Sequence, residues 1–295
     1  MFMNKKKYIT IVLVALLICV AAFGGIMAAR MMVTPFEVGQ HGAALRPVQD
    51  GKINFLVVGT DKVASNTDTI LVATINTNKN TISIMSVPRD TKVQIKNKTM
   101  KINAVYSYAQ NSGMNDEEVL IDTVSEVTGI GINYYAIINT EAFRDIVDKL
   151  GGVRYNVPRD YDYDDPYQDL HIHLKKGDQV LNGENAEGLV RYRYDYARAD
   201  LERVEVQQDF IKEMIKQKLR LEYIPKIPSV YKTISKNVIS NLKVDDVIDF
   251  GKKVVGIDEG AIQTFTLPGE PKMIGGASYV IVDKEATKAL VDENF

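Results

Sequence analysis

The sequence predicts an α/β fold: a central mixed, largely antiparallel β-sheet layered with α-helices, preceded by one N-terminal transmembrane helix. Three observations carry this. An apolar run fills residues 9–29, three short apolar runs follow Lys52 in quick succession, and strand-like and helix-like patterns alternate from Asn115 onward.

As a helix, Ile9 to Ala29 is long enough to cross about 30 Å of hydrocarbon. Lys5, Lys6 and Lys7 precede it, so residues 1–8 are expected in the cytoplasm and everything after Arg30 outside the cell. The run exceeds the apolar core of a signal peptide and no clean A-x-A site ends it, which favours a retained single-pass anchor in the cell membrane. The single cysteine, Cys19, lies inside this run and excludes an intrachain disulfide. Residues 30–51 carry Pro35, Gly39, Gly42 and Pro47 without a sustained period and read as a linker. The extracellular domain is then 52–295.

Ile53 to Gly59, Ile70 to Asn76 and Thr81 to Val87 read as buried strands, with Asn76 to Asn80 as the turn between the last two. As an antiparallel meander they carry Asp61, Asp68 and Arg89 to one end of the sheet. Lys101 to Gln110 reads as a helix with Lys101 at its start, where a cation is unfavourable unless an anion is near. Asn115 with Glu118 forms a capping box for a helix to Thr128, ended by Gly129. Ile132 to Asn139 is a strand, Thr140 caps a helix that stops at Gly151-Gly152, and Val153 to Val157 is another strand. Asp160 to Asp169 is acidic, aromatic and aperiodic, and reads as a solvated loop without the spacing or glycine of an EF-hand. His171 and His173 share one strand face but have no third ligand at a recognisable spacing, so they read as ordinary strand residues. The remainder reads as helices over Ser229–Leu242 and Val244–Val255, strands over Ile262–Leu267 and Tyr279–Val282, and a closing helix from Lys284.

The chemistry concentrates after Arg191. If Arg191-Tyr192-Arg193 is extended, alternation places both guanidiniums on one face. Asp200 reads as the N-cap of a helix to about Leu219, on which Arg203 and Gln207 stack one turn apart. Backbone N–H groups and the dipole at that helix start add positive potential, which suits a phosphate. Asp61 and Asp68 suit Mg²⁺, which binds through one or two carboxylates together with substrate phosphates. The net charge of −2 gives no field for nucleic acid, and no Walker loop is present, so DNA binding and nucleotide hydrolysis are excluded as readings.

Eight blocks, in order, resemble the LytR-CpsA-Psr (LCP) proteins of bacterial envelopes. They are Val57 to Asp61, Thr67 to Ala73, Ser86 to Thr91, Lys101 to Tyr106, Leu150 to Val153, Leu181 to Ala186, Arg191 to Arg193, and Asp200 to Arg203 through Gln207-Gln208. The resemblance implies a membrane-anchored enzyme that moves a glycopolymer, of teichoic acid or capsule type, from a polyprenyl pyrophosphate carrier onto peptidoglycan. It assigns Asp61 and Asp68 to Mg²⁺, and Arg89, Lys101, Arg191, Arg193, Arg203 and Gln207 to the pyrophosphate. Asp68, Arg89 and Arg203 take the catalytic roles, with Asp68 as base for a muramic acid hydroxyl. Two positions depart from the pattern, Asn66 and Val206, each standing where the family usually has arginine. Polyprenyl pyrophosphate hydrolysis, or an envelope regulator that binds polyprenyl phosphate without turnover, are the alternatives.

Overall fold

In the computed structural model, which describes residues 45–48, 51–60, 66–165, 170–192, 200–218, 226–234, 237–254, 257 and 259–295, the three apolar runs become β1 (Lys52–Thr60), β2 (Thr67–Asn76) and β3 (Thr81–Ser86). They pair as the expected antiparallel meander, Leu56 opposite Val72 and Ile75 opposite Ile82. Asn76 closes the β2–β3 turn, its side chain accepting from the N–H groups of Asn78 and Lys79 at 3.1 and 3.0 Å. On the flanks, β6 (Tyr134–Asn139) runs parallel to β1 and β12 (Ile262–Thr266) parallel to β3, with β11 (Val238–Ser240) outside β6. The sheet is therefore mixed, antiparallel in its centre. Its inner strands are largely apolar and buried, with Asn54, Thr74 and Ser83 as polar interruptions.

Two compact units divide the chain, and the meander belongs to the one that ends at Asn139 and resumes over Ile239–Leu242 and Gly260–Phe295. Its helices are α1 (Val105–Asn111), α2 (Asp116–Thr128) and, at the C-terminus, α8 (Lys284–Asn294). As expected, Asn115 caps α2, accepting from the Glu118 N–H at 3.0 Å, and Gly129 ends it at φ 74°. Leu56, Val58, Val72, Val105, Leu120 and Val124 are wholly buried between sheet and helices. Each such side chain contributes about 1.5–3 kcal/mol.

Several elements differ from the sequence reading. Lys101 does not open a helix: it ends β5 (Lys98–Lys101), which pairs with β4 (Lys92–Ile95), and a 3₁₀ turn over Ile102–Ala104 separates it from α1. The hairpin turns through Lys96 at φ 53° and buries only Val93 and Met100, so its apolar signal is two residues long. The predicted helix over Ser229–Leu242 is α6 (Ile227–Ile234) followed by β11. Past that strand, Asn241 pairs its side chain with the backbone of Asn133 and Tyr135. Tyr279–Val282 lies within β14 (Ala277–Val282), which pairs with the unforeseen β13 (Gly269–Ile274) through Gly275 and Gly276, both at positive φ.

The other unit comprises Thr140–Val238 and Lys243–Glu259 among the described residues. It contains α3 (Thr140–Lys149), β7 (Val153–Val157), β8 (Tyr161–Asp165), β9 (Leu170–Leu174), β10 (Gly177–Leu181), α4 (Gly183–Arg191), α5 (Asp200–Lys218), α6 and α7 (Val244–Val254). β7 pairs with β10, and β8 with β9, both antiparallel. The acidic stretch is thus a strand over Tyr161–Asp165 rather than a loop. Tyr161 is buried while Asp162 and Asp164 face solvent, so a two-residue alternation underlies its charge.

Gly183 sets the approach of α4 to α3. A Cβ there would lie 2.4 Å from the Arg144 carbonyl oxygen and 2.7 Å from its Cα, inside the packing distance of any side chain. Asp148 reinforces the contact by accepting from the Gly183 N–H at 2.7 Å. Gly183→Ala therefore has to separate the two helices, and urea unfolding is expected to show a loss of about 2–3 kcal/mol. An unchanged midpoint would mean that the helices slide at no cost.

No helix among the described residues is long and apolar enough to cross a membrane. The expected anchor over 9–29 lies outside them.

Candidate functional site

Strand register alone brings the first pair of charged residues together. In the β2–β3 ladder the numbers of paired residues sum to a constant, from Asn76 with Thr81 to Leu71 with Ser86, and the Val87 N–H continues it by donating to Ile70 O at 2.9 Å. Carried two residues further, the same register sets Arg89 opposite Asp68. Their side chains meet there, Arg89 Nη1 donating to Asp68 Oδ1 at 3.0 Å. Arg89 is the more enclosed, at 20% side-chain exposure against 40% for Asp68.

The backbone around Arg89 is fixed on several sides. The Thr91 N–H and hydroxyl both donate to Pro88 O, at 2.9 and 2.6 Å, which closes a tight turn over Arg89-Asp90. The Asn103 N–H donates to Arg89 O at 3.1 Å and the Val280 N–H to Asp90 O at 2.9 Å. Thr67, buried beside Asp68, donates its hydroxyl to Asn103 O at 3.3 Å. Asn66 lies with its Oδ1 3.5 Å from the Ser107 hydroxyl. Lys101 is held not by Asp68 but by Asp90, Nζ to Oδ1 at 2.9 Å, an acid that sequence reasoning left without a role. Arg89 and Lys101 are thus each paired with a carboxylate, Asp68 and Asp90.

In the other unit the extended reading of Arg191 is corrected: Arg191 is the last residue of α4, and Tyr192, the last described residue of this stretch, is extended, at ψ 134°. A cation at a helix C-terminus is favoured by the dipole. Arg191 Nη1 donates to Glu187 Oε1 at 2.7 Å, one turn back along the helix, while Arg144 of α3 donates to Glu187 Oε2. Glu187 is 1% exposed, whereas the Arg191 and Arg144 side chains are 22% and 33% exposed. The sequence held one signal for this, the Glu187–Arg191 spacing of four; the second partner comes from 43 residues away and left none.

Arg203 and Gln207 do share a face of α5, as their spacing predicts, and both are buried, at 4% and 8% exposure. Gln207 donates from Nε2 to Val190 O at 2.7 Å, which ties α5 to the end of α4 beside Arg191. Two residues on, Asp209 accepts from the Tyr155 hydroxyl at 3.0 Å, and Phe210 packs edge-on against Tyr155 at 5.7 Å between centroids. Burial first, and then Asp209, push that hydroxyl far above its usual range, so it remains a donor. Asp61 and Arg193 lie outside the described residues. Of the site predicted from sequence, Asp68 with Arg89 is one assembled cluster and Arg191, Arg203 and Gln207 are held along α4 and α5 of the other unit.

The model of the LytR_cpsA_psr family matches residues 25–294. Among curated proteins, the polyisoprenyl-teichoic acid–peptidoglycan teichoic acid transferase TagU of Bacillus subtilis (strain 168) is 30% identical over 243 residues, 81% of this chain and 75% of TagU. TagV of the same organism, which bears the same description, is 29% identical over 225 residues, 75% of this chain; the chain spans 56% of that relative's length. The crystal structure of B. subtilis TagV superposes with a TM-score of 0.69 at 26% identity, covering 84% of this chain and 98% of the crystallised one.

Proposed function

Because the chain belongs to the LytR_cpsA_psr family, we infer that it is a glycopolymer–peptidoglycan phosphotransferase, anchored in the cell membrane by residues 9–29 with its catalytic domain outside. The donor in this reading is a teichoic acid or capsule-type glycan on a polyprenyl pyrophosphate, and the acceptor is peptidoglycan. The observation that carries it within the molecule is the Asp68–Arg89 pair, a carboxylate and a guanidinium held 3.0 Å apart on pinned backbone.

The chemistry follows from the groups. A peptidoglycan hydroxyl oxygen attacks the glycan-bearing phosphorus, its proton passes to the Asp68 carboxylate, and the P–O–P bond breaks to release polyprenyl phosphate. Arg89, Lys101, Arg191, Arg193, Arg203 and Gln207 bind the pyrophosphate, the arginines because a planar fork donates two hydrogen bonds to one phosphate. Donors already in position as charge develops on the transferred phosphate are worth several kcal/mol in the transition state.

Asp68 fits a magnesium site. Its carboxylate is a hard oxygen donor, gives one oxygen to Arg89 and stays 40% exposed, which suits an ion that retains part of its water shell. With Asp61 it would hold Mg²⁺, whose charge would offset that of the pyrophosphate. Chelation with EDTA is expected to stop product formation by the full chain given a polyprenyl pyrophosphate oligosaccharide and peptidoglycan oligomers, and Mg²⁺ to restore it. Undiminished product in EDTA would remove the metal from this reading. Asn66 and Val206, each lacking the family's usual arginine, favour a second reading, a protein that binds polyprenyl phosphate without turnover. Bound but unchanged lipid in the same assay supports it.

A further inference from the structure

The β8–β9 hairpin carries four polar side chains that the transfer chemistry does not use. Its register sets Asp162 opposite His173 and Asp164 opposite His171. Alternation puts all four on the exposed face, while Tyr161, Leu170, Ile172 and Leu174 are buried on the other. Beneath the hairpin, the Tyr161 ring meets Tyr192 at 4.6 Å between centroids, and Ile172 lies against Gly188 of α4. The exposed face therefore stands on a packed base.

Asp164 Oδ1 is 2.5 Å from His171 Nδ1 and 3.4 Å from His173 Nε2, so one carboxylate oxygen serves both imidazoles. Asp162 Oδ1 is 2.6 Å from His173 Nδ1. Asp164, His171 and His173 each offer a ligand atom within 4.8 Å of the others. Ligand atoms on a tetrahedral zinc ion, with bonds of about 2.0–2.2 Å, lie roughly 3.3 Å apart. The Asp164–His173 separation is already close to that value.

We propose that His171, His173 and Asp164, with Asp162 beside them, form a site for a divalent transition metal ion of the zinc class on the outer face of this hairpin. Two imidazoles and a carboxylate leave a fourth position for water, Asp162 holds the far nitrogen of His173, and imidazole selects such ions over Mg²⁺. The site is chemically separate from the magnesium carboxylates of the transfer reaction.

Zinc titration by calorimetry on the full chain, made without a polyhistidine tag, tests it. One ion is expected to bind per chain, undisplaced by excess Mg²⁺. His171→Gln and His173→Gln should each weaken binding at least about tenfold, a loss of some 1.4 kcal/mol. His41→Gln, at the remaining histidine of the sequence, should leave it unchanged. Both hairpin histidines are more than half exposed, so their variants are expected to keep the parent circular dichroism. Absence of stoichiometric binding, or binding that survives the double His171→Gln, His173→Gln variant, would overturn the proposal. Loss of zinc with transfer intact would leave the function proposed above untouched.

Discussion

Asp68→Asn is expected to reduce transfer at least about a hundredfold, the scale seen when a positioned catalytic group is removed, while leaving the protein folded. The two halves of that expectation rest on different magnitudes. An ion pair with one partner 40% exposed contributes about 0–1 kcal/mol to stability, because water solvates the carboxylate nearly as well as Arg89 does. A base for the acceptor hydroxyl, by contrast, acts on the reacting atoms, where asparagine accepts no proton. Turnover and denaturant unfolding, measured on one preparation, separate these effects. Arg89→Lys should lose nearly as much activity, since an ammonium cannot reproduce the fork of a guanidinium on one phosphate. Activity retained by both variants would exclude the pair from the chemistry.

Glu187→Gln is expected to damage both fold and function. The carboxylate is almost wholly buried and balances Arg144 and Arg191, which lie on two helices. Neutralising it leaves two guanidiniums beside an amide that offers one acceptor oxygen. Breaking a fully buried pair costs about 3–5 kcal/mol, but both arginines reach solvent here, so a loss of about 2 kcal/mol is the better expectation. Transfer should fall as well, through misplacement of Arg191 rather than loss of a contact with substrate. A raised KM for the lipid donor at little change in kcat distinguishes that from catalysis by Glu187 itself, which would lower kcat.

The legible parts of the fold are those whose signals are local and apolar. The β1–β3 meander shows as three apolar runs around an Asn-rich turn, and its direction was enough to bring Asp68 and Arg89 to one end. The α2 helix declares both termini through Asn115 and Gly129. The β4–β5 hairpin leaves no apolar signal because only Val93 and Met100 are buried and Lys92, Gln94, Lys98 and Thr99 are exposed. In β8 the alternation of Tyr161 and Tyr163 with Asp162 and Asp164 was present, but the acidic composition outweighed it. Within the site, the spacing of Arg203 and Gln207 predicted their shared face correctly. The partners that hold the cations, Glu187 for Arg191 and Asp90 for Lys101, are set by tertiary packing and by a hairpin that the sequence did not announce.

The mass of the peptidoglycan product tests the central claim most directly. The full chain is incubated with Mg²⁺, a polyprenyl pyrophosphate oligosaccharide and uncrosslinked peptidoglycan oligomers, and the products are read by mass spectrometry. Attack on the glycan-bearing phosphorus predicts an oligomer heavier by the glycan and one phosphate, with polyprenyl phosphate released in equal amount. Polyprenyl phosphate appearing beside unmodified peptidoglycan, or a product that gains the glycan without phosphorus, would contradict it.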